Sequence, residues 1–213
     1  MKYELNQIIH ADCMDILKDI PDKYFELAIT DPPYGLERFK KGGSHLNKYG
    51  SENKEWNNIK PDKKYFNELF RISQNQIIWG GNYFIEHLYN TPCFIVWDKD
   101  NTGNFADCEL AWTSFKSVVR KIKIRWNGML QENMKDKEIR IHPTQKPVAL
   151  YRWLLQNYAK PGDKIIDTHS GSGSLACACH LEGFDFLAIE KDEDYYKSSV
   201  ERLETLRSQG TLF

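Results

Sequence analysis

The chain has 213 residues, 41% of them hydrophobic and 13% aromatic, enough for one sizeable core and too apolar for a disordered chain. Its formal net charge of −1 does not by itself mark a nucleic-acid binder, and no apolar run reaches the roughly 20 residues of a membrane span. Five cysteines without a CxxC pair and six scattered histidines argue against a disulfide framework or a metal site. With no signal-peptide pattern near Met1, they point to free thiols in the cytosol, a cytoplasmic location.

A strand is predicted at Gln7–His10, then a short amphipathic helix over 12–20. The apolar run 25–30 is stopped by Pro32 and Pro33 and reads as a buried strand ending at Asp31. Residues 35–60 are rich in Gly, Asn, Ser and Lys without periodicity, which predicts a mobile loop. A helix over 63–73 follows, then strands over 76–79 and 93–97. Residues 109–113 and 121–126 are further strands; the second alternates charged and apolar residues, so one face meets solvent or a ligand. Pro147 starts a helix whose apolar stripe is Leu150, Tyr151, Leu154, Leu155 and Tyr158. A strand over 164–167, a Gly-rich loop, a small-residue helix over 175–181, a strand over 184–190 and a charged helix complete the chain. This alternation predicts a single α/β domain, 1–213, with a Rossmann-like, doubly wound, mostly parallel sheet.

Charge is unevenly spread. Between Lys116 and Arg140 there are eight basic and three acidic residues, a local excess suited to a phosphate backbone. Lys121, Lys123 and Arg125 on one predicted strand are the candidate contacts to such a backbone.

Two motifs carry chemistry. In the loop Asp167-Thr168-His169-Ser170-Gly171-Ser172-Gly173, glycines let a ligand approach the backbone, and the helix that follows offers N–H groups to an anion. Glu190 ends the next strand, where nucleotide-binding α/β folds place a ribose-binding acid. Asp31-Pro32-Pro33-Tyr34 follows another strand. Its carboxylate and proline carbonyls are adjacent acceptors that match the two donors of an –NH2 group, and its ring is a stacking surface for a planar base.

Together these motifs resemble the amino-methyltransferase family of DNA methyltransferases, in the motif order of its β class. The resemblance covers nearly the whole chain. It implies an S-adenosylmethionine-dependent methyltransferase fold, S-adenosylmethionine as cofactor, DNA as partner, no metal, and restriction–modification as a setting. It casts Asp31, Pro32, Pro33 and Tyr34 as catalytic. Ile9-His10-Ala11-Asp12-Cys13 is similar to the adenine-binding segment, which implicates Asp12 and Cys13. His142-Pro143-Thr144-Gln145-Lys146-Pro147 is similar to the segment whose polar residues, here Thr144, Gln145 and Lys146, reach the methionine end. From the loop, Asp167, His169, Ser170, Gly171, Ser172 and Gly173 are implied cofactor contacts, with Glu190. Residues 79–84 and 97–99 resemble segments that frame the target base.

Two departures stand out. The family's Asp-Pro-Phe is here Asp167-Thr168-His169. The segment 114–141, where β-class members carry a target-recognition domain, is reduced, which leaves recognition to the basic strand, to the loop 35–60, or to a second subunit in a homodimer. An initial Asp implies adenine N6 as acceptor. Cytosine N4, an RNA amino group and a catalytically silent DNA-binding module stay open as alternatives.

Overall fold

The computed structural model describes residues 2–35, 59–101, 106–127 and 130–210. Of the predicted loop 35–60, only Gly35, Ile59 and Lys60 lie among them.

The elements run β1 (Gln7–His10), α1 (Cys13–Leu17), β2 (Phe25–Thr30), α2 (Lys63–Ile72), β3 (Ser73–Trp79), β4 (Phe94–Asp98), β5 (Cys108–Thr113), β6 (Arg120–Lys123), β7 (Trp126–Asn127), β8 (Leu130–Gln131), α3 (Val148–Tyr158), β9 (Lys164–Asp167), α4 (Ser174–Glu182), β10 (Asp185–Glu190) and α5 (Glu193–Ser208). Eight strands form one sheet in the order β1-β10-β9-β2-β3-β5-β4-β6. Only β5 runs antiparallel to its neighbours in that sheet. β7 and β8 form a separate two-stranded ribbon. The fold is the predicted α/β, mostly parallel sheet. The predicted strand 121–126 is divided: its first half joins the sheet edge and Trp126 turns into the ribbon.

Both faces of the sheet are covered, which is why the central strands read as unbroken apolar runs. Alternate residues serve opposite layers. Leu27, Ile29, Ile77, Ile165, Phe186 and Ala188 pack in the layer holding α3 and α4. Ala28, Ile78, Ile166, Leu187 and Ile189 pack in the layer holding α1 and α2. The small residues Ala176, Cys177, Ala178 and Cys179 let α4 lie close on the sheet, and all four are buried.

Helix starts are set locally. Asp12, Asp62 and Asp192 accept backbone N–H groups at the starts of α1, α2 and α5. Among the described residues no helix is long and apolar enough to cross a membrane, and no cluster of three or more potential metal ligands occurs.

Candidate active site

The parallel strands β1, β10, β9 and β2 end on one edge of the sheet, with β9 between β10 and β2. From β9 the chain goes on to β10 on one side, while β2 leads to β3 on the other. Such a switch point leaves a crevice beyond the strand ends. A cavity of ≈ 790 Å³ opens there, within the range of small-molecule sites. All the predicted cofactor residues except Asp167 and Gly173 line it, and so do Asp31 and Pro33. The two motifs, far apart in sequence, therefore face one space.

At the glycine loop, Glu190 accepts N–H bonds from Gly171 at 2.6 Å and from Asp192 at 2.8 Å. Burial pushes its carboxyl above the ordinary carboxylate range. Each oxygen keeps a lone pair for an incoming diol. Gly171 adopts φ +51°, and a side chain there would meet the His142 ring at 3.6 Å. The buried Ser170 hydroxyl has no hydrogen-bond partner among the described residues. A buried polar atom without a partner is costly, so this one favours a polar ligand. The ring of His142 packs edge-on against Tyr195 at 4.3 Å, and both residues line the cavity.

The unusual Thr168-His169 pair is built into the floor. The Thr168 hydroxyl lies 2.6 Å from Thr30 Oγ1 and 2.7 Å from the Tyr65 hydroxyl, which itself lies 3.2 Å from Thr30. This closed triangle of hydroxyls ties the ends of β2 and β9 to α2. His169 Nδ1 lies 3.0 Å from Thr168, and its ring meets Tyr65 edge-on. Burial lowers the imidazole to about 4, so it is neutral at physiological pH.

Asp167 accepts the His169 N–H at 3.1 Å. Burial pushes it up to about 8. The folded chain thus holds a proton that an unfolded aspartate releases near pH 4. This contribution to stability is complete below about pH 4 and is lost as pH rises through about 8. Thermal unfolding of the ligand-free protein should therefore show a melting temperature that falls between about pH 5 and about pH 9, with a shallower slope for Asp167→Asn. Equal slopes would show that Asp167 is not the group responsible.

At the other end of the cavity Asp31 is enclosed. The Tyr34 hydroxyl donates to Oδ1 at 2.6 Å and Lys146 Nζ to Oδ2 at 2.5 Å. Burial, then the Asp31 charge, raise Tyr34 well above the usual phenol range, so it remains a donor. Its ring stacks on Tyr83 with centroids 4.7 Å apart. It also lies on Gly80, where a Cβ would fall 2.1 Å from the ring.

Other predicted residues are occupied in unexpected ways. The Gln145 side chain bonds the backbone of Ile139 and Ile141, and the Gln145 backbone carbonyl accepts from the Trp126 indole, so the residue braces the segment before α3. Lys121 pairs with Asp98 at 2.9 Å, Lys123 with Asp100 at 2.7 Å, and Arg125 also with Asp100. The basic strand thus carries its own counter-ions, because β6 runs beside β4 with Asp98 opposite Lys123.

Residues 51–201, most of the chain, match the model of a DNA methylase family. The chain belongs to the DNA methylase family. The methylase is 25% identical to the type II methyltransferase M.HinfI of Haemophilus influenzae over 252 residues, covering 95% of this chain and 69% of that one. In fold it is similar to the M1.HpyAVI–SAM complex, with TM-score 0.60, 22% identity, and coverage of 92% of this chain and 99% of that one. It is also similar to the PvuII DNA methyltransferase, a cytosine-N4-specific enzyme, with TM-score 0.62, 14% identity, and coverage of 95% and 91%. Sequence reasoning about the methylase missed Tyr65, His142, Tyr151 and Tyr195 on the cavity wall. For the three tyrosines the signal was aromatic character beside apolar stripes, which core packing explains equally well; His142 opens the motif that runs to Pro147, whose polar residues Thr144, Gln145 and Lys146 were singled out instead.

Proposed function

We propose that the methylase transfers the methyl group of S-adenosylmethionine to an exocyclic amino nitrogen of a base flipped out of DNA, with adenine N6 as the acceptor. The observation that carries this reading is the shared cavity, lined by Asp31 as well as by Gly171 and Glu190. The cofactor supplies an electrophilic methyl on a sulfonium. Glu190 would hold the ribose hydroxyls, Ser170 and the loop backbone the polar end, and Asp12 and Cys13 the adenine edge.

An aromatic amine is a poor nucleophile because its lone pair is delocalised into the ring. Asp31 and the Pro32 carbonyl would accept its two hydrogens and aim the lone pair at the methyl, which is catalysis by positioning and electrostatics. Each Asp31 oxygen already receives one donor, and a carboxylate oxygen takes two, so capacity remains. Asp31 is also the acceptor positioned to take the leaving proton. Within a duplex the amino group is paired, so the base must leave the stack. Stacking on Tyr34 would contribute about 1–3 kcal/mol, and the half-exposed Tyr83 beside it extends the aromatic surface. The reduced segment 114–141, with Lys121, Lys123 and Arg125, is the proposed DNA contact, each cation exchanging an internal carboxylate for a phosphate.

Adenine is favoured over cytosine by the initial Asp31. Incubation with labelled cofactor and either DNA or RNA, followed by nucleoside mass spectrometry, tests the reading. N6-methyladenine in DNA is expected. N4-methylcytosine would reassign the base, and a product confined to RNA, or none, would sink the proposal.

A further inference from the structure

Lys146 is 4% exposed in its side chain, yet it is an ammonium. A lone buried ammonium costs several kcal/mol unless paired. Two carboxylates pair it: Asp31 at 2.5 Å and Glu109 at 3.0 Å. Glu109 also pairs with Lys99, from the turn after β4. The four side chains form a neutral chain, Lys99–Glu109–Lys146–Asp31, running from the antiparallel strand β5 to the tip of β2. The Lys146 ammonium also lies over the Trp79 ring, 5.3 Å from its centroid. Its backbone carbonyl accepts from Ser174 at 2.7 Å, which fixes the root of the side chain.

We propose that Lys146 is a positioning residue for Asp31 and not a contact to the cofactor, and that Glu109 is the counter-ion that holds Lys146 there. The inference rests on the role given to Asp31 above. A carboxylate that must accept an N–H bond needs a fixed orientation and a full charge. Lys146 fixes one oxygen and Tyr34 the other, so the carboxylate cannot rotate away. Lys146 and Lys99 also prevail over burial and hold Glu109 down at about 2, so the bridging partner stays ionised. Remove the ammonium, and Asp31 and Glu109 are left as two partly buried like charges without the cation between them. The repulsion favours keeping a proton on one of the two, as carboxylate pairs do. The titratable groups facing this pair from neighbouring elements are Lys99, Tyr34, Tyr151 and Asp167. Burial keeps both tyrosines protonated, so neither replaces the lost cation.

The test compares the purified full-length wild type with Lys146→Gln, Glu109→Gln and the double variant. It measures kcat against pH at saturating DNA, and S-adenosylmethionine affinity by calorimetry without DNA. Lys146→Gln is expected to lower kcat about tenfold or more, with cofactor Kd within about threefold. The acid limb of its kcat profile should move up by about one pH unit or more. In the double variant the repulsion is gone, so the limb should return toward the wild-type position, a non-additivity that a merely structural role does not produce. Glu109→Gln, which keeps the shape of the side chain, should lower kcat about threefold or more with cofactor Kd unchanged, and it decides the matter if Lys146→Gln does not fold. A tenfold loss of cofactor affinity with unchanged kcat, or an unmoved acid limb, would overturn the inference. A wild type without methyl transfer would instead overturn the proposed function.

Discussion

Asp31→Ala is expected to reduce methyl transfer by about 10²–10³-fold or more, the scale seen when one preorganised polar group is removed from a reacting centre. Cofactor affinity should stay within about threefold, below 1 kcal/mol, because the ribose and loop contacts lie at the other end of the cavity. Asp31 bonds Tyr34 and Lys146, whereas Glu190 bonds Gly171 and Asp192. In the variant Lys146 keeps Glu109 as its partner, so an ion pair persists at this point of the fold. Asp31→Asn, measured beside it, keeps the side-chain volume while removing the charge. Equal losses in both would assign the effect to the carboxylate. Near-wild-type turnover by either variant in a labelled-methyl assay would remove Asp31 from the centre of the mechanism.

Gly80→Ala is expected to reduce transfer about 10²-fold, although Gly80 does not line the cavity. Gly80 has φ +66°, a region that costs an L-residue about 1–2 kcal/mol. Its added Cβ would fall 2.1, 2.5 and 2.7 Å from three ring atoms of Tyr34. The turn cannot retreat. The Gly80 N–H donates to the Leu110 carbonyl at 2.8 Å, and a Cβ on the next residue, Gly81, would meet Trp112 at 2.4 Å. The Tyr34 ring must move instead, and it takes with it the hydroxyl that holds Asp31. Tyr34→Phe keeps the ring and deletes the hydroxyl. The ratio of the two losses therefore divides the ring's placement from its hydrogen bond. Full transfer by Gly80→Ala would show that the observed ring position is dispensable.

Much of this site was legible before the fold was known, because its signals are local. Proline stops at Pro32 and Pro33, glycines at Gly171 and Gly173, and acids at strand ends such as Asp31, Asp167 and Glu190 follow from backbone rules that act within a few residues. The parallel sheet was legible for the same reason, since β2, β3, β9 and β10 are buried on both faces and show it in composition. What the sequence did not disclose depends on register and packing between distant segments. Lys146 was expected at the cofactor, but placing Glu109 and Asp31 on one ammonium requires knowing that β5 lies beside β3. Lys121, Lys123 and Arg125 read as an open basic stripe until the pairing of β6 with β4 brought Asp98 and Asp100 against them. Tyr34 read as an open stacking face, and only the Gly80 turn and Tyr83 show how far its ring is already packed. The alternation continues through Arg125, whereas the strand at the sheet edge ends at Lys123 and the backbone turns away.

The hydroxyl triangle at the cavity floor also orders events in time. Thr30 and Thr168 touch, yet 138 positions separate them along the chain. β2 and β9 are neighbours in the middle of the sheet, so a ribosome must deliver the chain as far as Thr168 before the crevice between them exists. Closing so long a loop is slow relative to local helix formation, because its entropy must be lost before the contact rewards it. A nascent chain that already displays Asp-Pro-Pro-Tyr is thus inert. The cavity that Asp31 shares with Glu190 is complete only once β9 and β10 have both joined the sheet.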